Sequence, residues 1–180
     1  MFCLVKTPVC EAAIYNGGVK FTLRHYRPED FERLWQVDQL CFVPGIAYSR
    51  RELSAYIRRR GAFTLVAEET GTGRTASISG FIVAEANRRG VGHIISIDVL
   101  PESRRSGLGS QLLTAAEDRL RDSGCHTIVL ETAVDNANAI AFYKRFNYSV
   151  TKVFPHYYSN GVDALVLEKD LKETSTERAG

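Results

Sequence analysis

The sequence contains no Cys-x-x-Cys pair. Its four cysteines, Cys3, Cys10, Cys41 and Cys125, are widely scattered, so a zinc site has no support and no metal is expected. A chain of 180 residues can bury a core that holds without disulfides. Reduced thiols and a cytoplasmic location are therefore the expectation. No apolar run approaches the roughly 18–20 residues that span a bilayer, so no membrane partner is expected. An excess of one charge is also lacking. Lys and Arg total 23 against 21 Asp and Glu, a formal net charge of +2. That argues against a protein built mainly to coat nucleic acid, although it leaves room for a local basic patch. The arginines look scattered, and no nucleic-acid partner is expected. The chain also lacks repeats and low-complexity stretches. With 44% hydrophobic and 24% charged residues, it reads as one ordinary folded domain.

The first 18 residues have no basic segment leading into a long apolar stretch, and Pro8 and Glu11 interrupt them. They read as a poorly ordered leader rather than a signal peptide. Residues 173–180 read as a frayed polar tail. The folded domain is expected over residues 19–172.

Alternation of apolar and polar residues predicts a strand over Val19–Tyr26. A helix opens near Arg27-Pro28-Glu29-Asp30, with Phe31, Leu34, Trp35 and Val37 as its apolar stripe. It ends before an unusually apolar loop, Phe42 to Ala47. Ser49-Arg50-Arg51-Glu52 has the form of a capping box for a short second helix. Strands are predicted over 62–68, 77–86 and 92–99, with turns at 70–73 and 88–90 and Gly80 marking a possible bulge. Leu108, Leu112, Leu113, Ala116 and Leu120 lie on one stripe of a further helix. A β-branched run over 126–131 fits a central strand. A helix over 136–146 and strands over 149–154 and 163–168 follow. The strand–helix–strand unit from Gly92 to Glu131 places two parallel strands side by side. The predicted class is α/β: a mixed, mostly antiparallel sheet of about seven strands with a central parallel pair and four helices.

One turn stands out. Val99-Leu-Pro-Glu-Ser-Arg-Arg-Ser-Gly-Leu-Gly-Ser110 connects a strand to a helix. Gly107 and Gly109 allow a ligand close to the backbone. The helix N-terminus favours an anion, and Arg104 and Arg105 add positive charge. A P-loop needs a lysine after its glycine, which is missing, and the dinucleotide fingerprint needs a third glycine where Leu112 stands. The segment reads either as a diphosphate cradle or as a tight turn carrying two solvated arginines.

Arg104-x-x-Gly107-x-Gly109, preceded by Val99 and Pro101, resembles the acetyl-CoA motif of the GCN5-related N-acetyltransferases (GNAT). Asn136 followed by Tyr143 resembles that family's second motif, and the resemblance covers nearly all of residues 19–170. The family usually follows the tyrosine with Gly-Phe, where this chain has Asn147-Tyr148. Asn can take the left-handed C-cap conformation, so the turn can survive. Gly92 to Ile97 and the hairpin Tyr157-Tyr158-Ser-Asn-Gly-Val-Asp-Ala164 are most similar to the protein N-terminal acetyltransferases, including the ribosomal-protein alanine acetyltransferase (RimI-like) branch.

The resemblance implies acetyl transfer from acetyl-CoA, with no metal, to a protein N-terminus. The acceptor is a peptide or protein, a ribosomal protein among them, and the enzyme a monomer or homodimer. Glu131 takes the place of the general base and Tyr143 that of the general acid. Backbone at Ile97 and Val99 pairs with the pantetheine arm. Arg104, Arg105, Ser106, Gly107, Leu108, Gly109 and Ser110 hold the diphosphate, and Asn136 and Tyr143 also bind the cofactor. Phe42, Val43, Pro44 and Gly45 together with Tyr157 and Tyr158 make a short acceptor groove. A protein α-amine has a pKa of about 7.7–8.0 against about 10.4 for lysine, so a modest carboxylate base suffices. Two other readings keep part of this picture: an acetyltransferase for a small amine, and a non-catalytic acyl-CoA-binding module. His25, His93, His126 and His156 show no ligand spacing and are expected to be structural or exposed. Cys125 and Trp35 are expected in the core.

Overall fold

Two periodicities, two and 3.6 residues, divide the chain into strands and helices that stack as three layers. The computed structural model describes residues 14–16, 19–70 and 77–171. Its strands are β1 (Ile14–Asn16), β2 (Val19–His25), β3 (Ala62–Thr70), β4 (Ser77–Ala86), β5 (Val91–Val99), β6 (Thr127–Ala133), β7 (Ser149–Phe154) and β8 (Ala164–Asp170). Its helices are α1 (Phe31–Cys41), α2 (Arg50–Ile57), α3 (Leu108–Asp122) and α4 (Ala137–Arg145). The sheet order is β1-β2-β3-β4-β5-β6-β8-β7. Every neighbouring pair is antiparallel except β5 and β6, the expected parallel pair. The strand beyond the expected seven is β1, three residues inside the segment read as a leader. The rest of that segment, the turn at 71–73 and the polar tail lie outside the described residues.

Alternation along the strands gives the sheet two dry faces. Ile82, Ala84, Ile94, Ile128 and Leu130 point to one side, where they meet Leu112, Leu113, Ala116 and Leu120 of α3. Val66, Phe81 and Val83 point to the other, against Leu34 and Val37 of α1 and Leu53 of α2. Each of these buried Val, Leu, Ile and Phe side chains stabilises the fold by about 1.5–3 kcal/mol relative to exposure. Phe31 and Trp35 pack at the margin of the second face, with the Arg50 guanidinium 4.0 Å over the Trp35 ring. Cys125 is buried in the first. The Ser49–Glu52 capping box forms as expected. Asn147 adopts φ +64°, so asparagine does fill the left-handed cap, and Tyr148 is buried behind it.

Two bulges shape the centre of the sheet. The β3–β4 register skips Ser79, next to Gly80. The β4–β5 register skips Ile95, because Val83 faces Ser96 while Ala84 faces Ile94. A bulge bends and twists its strand. Immediately beyond it, β5 parts from β6: their pairing ends at Ile94 opposite Leu130, although both strands continue. The wedge between them is where the site lies.

Candidate active site

The wedge opens into a cleft of about 380 Å³. One wall is the bulged stretch Ile94–Ile97 of β5; the other is Glu131–Ala133 of β6 with Asp135, Asn136, Ala139 and Tyr143 at the start of and along α4. Phe42, Val43, Ile46 and Tyr48 from the α1–α2 loop and Tyr157 and Tyr158 from the β7–β8 loop close its mouth. Glu131, Tyr143, the expected cofactor contacts Ile97 and Asn136, and Phe42, Val43, Tyr157 and Tyr158 of the expected acceptor groove therefore share one cavity. Pro44 and Gly45 line a neighbouring depression with Trp35 and Gln39, on the other side of the same loop.

The two mouth loops brace each other. The Ser159 hydroxyl donates to the Gly45 carbonyl at 3.0 Å. Gly45 has φ +90°, and a Cβ there would lie 2.9 Å from the Asn160 Cβ, so only glycine suits this contact. The α1–α2 loop is also held from beneath. Buried Asp38 accepts from the Tyr48 backbone N–H and the Gln39 amide, both at 2.9 Å, and Gln39 donates to the Tyr48 carbonyl. Burial pushes the Asp38 carboxyl up to about 6, against the lowering pull of those two donors. The Tyr48 hydroxyl then donates to the Ile95 carbonyl, the bulge carbonyl that faces no strand partner on the β6 side. Tyr48 thus ties the acceptor loop to the residue that opens the wedge.

Glu131 has a partner that sequence spacing did not reveal. The Nε2–H of His93 donates to Glu131 Oε2 at 2.7 Å, and His93 Nδ1 lies 3.7 Å from Glu85 Oε1. Burial alone would disfavour a charged imidazole, but the Glu131 hydrogen bond and the charges of Glu131 and Glu85 outweigh it and raise the His93 pKa above its ordinary value. His93, expected to be structural or exposed, is half-buried and held between two carboxylates. It completes a carboxylate–imidazole–carboxylate row across β6, β5 and β4. Tyr157 and Tyr158 both feel the Glu131 charge, and burial keeps their phenols protonated above the usual range.

Tyr143 comes from the opposite side of the sheet. Its ring is 5% exposed and stacks edge-on against Phe142 and Tyr148, with centroids 5.2 and 5.5 Å away. Burial, then the Asp98 and Tyr158 charges, push its phenol well above the ordinary value, so it holds its proton. Asn136 serves as the α4 N-cap, accepting from Ala139 N–H at 3.1 Å, and also lines the cleft.

The expected cofactor contacts divide. Ile97 lines the cleft. Val99 does not line it, and its carbonyl accepts from Cys41 Sγ at 3.4 Å and Arg104 Nε at 3.0 Å. Arg104 is thereby tied to the chain through its Nε, yet it is exposed, as is Arg105, which has φ +63°. Gly107, at φ +87°, begins α3; a Cβ there would meet only the Gln111 side-chain nitrogen, at 3.8 Å. Ser106 Oγ accepts from Leu108 N–H at 3.3 Å, and Gly109 sits 3.8 Å from Phe142 and Val99 at its Cβ position. The α3 start therefore abuts the cofactor side of the cleft through Val99 and α4. Among the described residues no group of three or more His, Cys, Asp or Glu is placed to hold a metal ion, and no helix is long and apolar enough to cross a membrane.

Comparison with known proteins agrees with this geometry. The chain is 29% identical over 173 residues to an N-alpha-acetyltransferase of Saccharolobus solfataricus, covering 89% of this chain and 99% of that protein. It is 38% identical over 77 residues to the N-alpha-acetyltransferase MAK3 of Arabidopsis thaliana, covering 43% of this chain and 40% of that one. Among solved structures it matches Ard1 from Thermoplasma volcanium with a TM-score of 0.71 at 27% identity, covering 83% of this chain and 97% of that one. It shares the fold of the ribosomal-protein-S18-alanine N-acetyltransferase from Escherichia coli, with a TM-score of 0.72 at 20% identity and 89% and 99% coverage. The family model for the acetyltransferase (GNAT) family matches residues 28–148, and the chain belongs to that family.

Proposed function

We propose that this acetyltransferase moves an acetyl group from acetyl-CoA to the α-amino group of a protein N-terminus, by direct attack with both substrates bound. The observation that carries the reading is the single cleft that joins the Glu131–His93 pair, Tyr143 and two braced aromatic loops. Relatives bearing the name N-alpha-acetyltransferase support it.

The residues present fit acetyl-CoA. The open space over Gly107 and the first-turn amides of α3 suit a diphosphate, with Arg105 beside them. The wedge between β5 and β6 suits an extended pantetheine arm along Ile97 and Asn136. When bound, the cofactor supplies an acetyl thioester. Glu131 takes a proton from the acceptor ammonium, directly or through water, and His93 shares that charge through its 2.7 Å hydrogen bond. Tyr143 holds a proton for the departing sulfur. Phe42, Val43, Tyr157 and Tyr158 exclude water and admit a narrow segment such as a peptide's first residues, whose ammonium reaches Glu131. A small polyamine would call for an acidic lining at the mouth, and here the mouth is apolar and phenolic. The E. coli neighbour acts on ribosomal protein S18, which makes ribosomal-protein N-termini the first acceptors to test. The free thiols of Cys41 and Cys125 suit a cytoplasmic setting.

Acetylation of a library of N-terminal peptides, run beside free polyamines and amino sugars, tests the acceptor class. Peptides should be turned over and free amines should not; the reverse preference removes the N-terminal reading. In the same assay Tyr158→Phe should raise the peptide KM several-fold and leave the acetyl-CoA KM unchanged. Equal changes in both would make Tyr158 a packing residue.

Gly107→Val tests the cradle. Valine is strained at φ +87° and places bulk in the open space, so CoA affinity, read by calorimetry, should fall at least about tenfold. A folded variant with unchanged affinity would put the diphosphate elsewhere.

A further inference from the structure

The arginines that look scattered in sequence are not scattered in space. The turn after α2 is Arg58-Arg59-Arg60-Gly61, and the β4–β5 turn is Asn87-Arg88-Arg89-Gly90. They belong to adjacent antiparallel strands and end side by side: Ala62 pairs with Glu85, and the Ala86 N–H donates to the Gly61 carbonyl at 3.1 Å. All five arginines are exposed. Arg59 is held by Glu85 at 3.1 Å and lies over the Tyr56 ring. Arg58, Arg60, Arg88 and Arg89 have no ion pair among the described residues. With a formal net charge of only +2, the rest of the chain is on balance negative, so the positive potential is concentrated at this end.

The patch is also built rather than loose. The Asn87 side chain accepts from the Arg89 and Val91 N–H groups at 2.8 and 3.1 Å. His126, just before β6, clamps the turn, its backbone N–H on the Gly90 carbonyl at 2.8 Å and Nε2 on the Arg89 carbonyl at 3.2 Å. The turn that carries Arg88 and Arg89 is therefore fixed before any partner arrives. Each of the four carries a guanidinium, and none is a lysine. Guanidinium is the weakly hydrated, fork-shaped donor that suits phosphate.

We propose that this two-turn arginine patch binds the phosphate backbone of RNA, without reading its bases. A repeating phosphate chain meets closely spaced arginines at many registers. Among the described residues the patch has no apolar pocket and no buried polar anchor to fix a folded protein partner in one pose, whereas its two held turns present a row of guanidinium donors that suits a phosphate chain. The patch leads to the active site, since Glu85 bridges Arg59 and His93. A partner bound there lies beside the acceptor cleft without entering it. The proposal does not depend on the identity of the acceptor.

The test is fluorescence anisotropy of an end-labelled RNA hairpin titrated with the full chain at several salt concentrations. Wild type should bind at low salt, with affinity falling steeply as salt rises. Arg58→Ser/Arg60→Ser/Arg88→Ser/Arg89→Ser should weaken binding at least about tenfold. It should also flatten the salt slope, by roughly 0.7–0.9 for each phosphate that is no longer neutralised. Lys144→Ser/Lys152→Ser, on α4 and on the edge strand β7, should leave both unchanged. Turnover of a short acceptor peptide should be normal in the quadruple variant, because none of the four residues lines the cleft. Absence of wild-type binding at low salt, or equal binding by the quadruple variant, overturns the proposal. So does tighter binding of a polyglutamate peptide than of RNA in competition, which would assign the patch to an acidic protein.

Discussion

Glu131→Gln should lower kcat/KM by about 10²–10⁴, the range for removing a positioned base. Glutamine keeps the shape and can still accept from the His93 Nε2–H, so the fold and the cleft should survive. What is lost is the negative charge that takes the ammonium proton. Part of the activity should return at higher pH, and the size of that return is bounded. An α-amine of pKa about 7.8 is roughly one-seventh neutral at pH 7 and almost wholly neutral at pH 9, so the gain is below about tenfold. A second signature comes from His93. Its pKa is raised largely through Glu131, so removing that charge should move it down towards its ordinary value. The sign follows: a His with a raised pKa stays protonated to higher pH, so the wild-type acidic limb lies higher than the variant's. A pH–rate profile with saturating acetyl-CoA reads both effects. Near wild-type activity at pH 7, or an unmoved limb, would take the base assignment away from Glu131.

The parts of the fold written in short windows were legible. Strands β2, β4 and β7 fall within a residue of their predicted spans because each alternates or is bounded by turn residues. The Ser49–Glu52 cap, the Gly107 helix start and the Asn147 cap are all local geometry, and each forms as expected. The misses need long-range facts. His93 and Glu131 are 38 residues apart and meet only because β5 and β6 pair in parallel in one register, His93 opposite Val129. The Ile95 bulge carries no glycine or proline to announce it; it is stabilised by the Tyr48 hydroxyl from another layer. The donors on the Val99 carbonyl are equally non-local: Cys41 reaches it only through the docking of α1. The two arginine turns, far apart in sequence, meet through the β3–β4 hairpin register. Motif spacing singled out Glu131 and Tyr143; tertiary register decided which side chains stand beside them.

Tyr143→Phe should lower kcat by about 10²–10⁴ and gain nothing from a rise in pH. The contrast with Glu131→Gln follows from which proton each residue handles. Glu131 acts on the acceptor amine, which alkaline solution can neutralise in its place. Tyr143 holds a proton for the leaving sulfur, and raising the pH only depletes alternative donors. Burial keeps the phenol protonated well beyond neutral pH, so the wild-type acid does not titrate across the working range. The variant should fold normally, because its ring still packs edge-on between Phe142 and Tyr148. Thermal unfolding should therefore shift by no more than a few degrees, which separates a lost proton from a disturbed core. The KM for acceptor peptide should stay within about twofold, since Tyr157 and Tyr158, not Tyr143, stand at the mouth with the α1–α2 loop. A leaving group that needs no proton provides the sharpest comparison. An acetyl thioester of a low-pKa thiol should narrow the gap between wild type and Tyr143→Phe, because its thiolate departs unaided. An equal deficit with both donors would make Tyr143 a packing residue of α4, and the proton for the departing sulfur would have to come from water in the cleft.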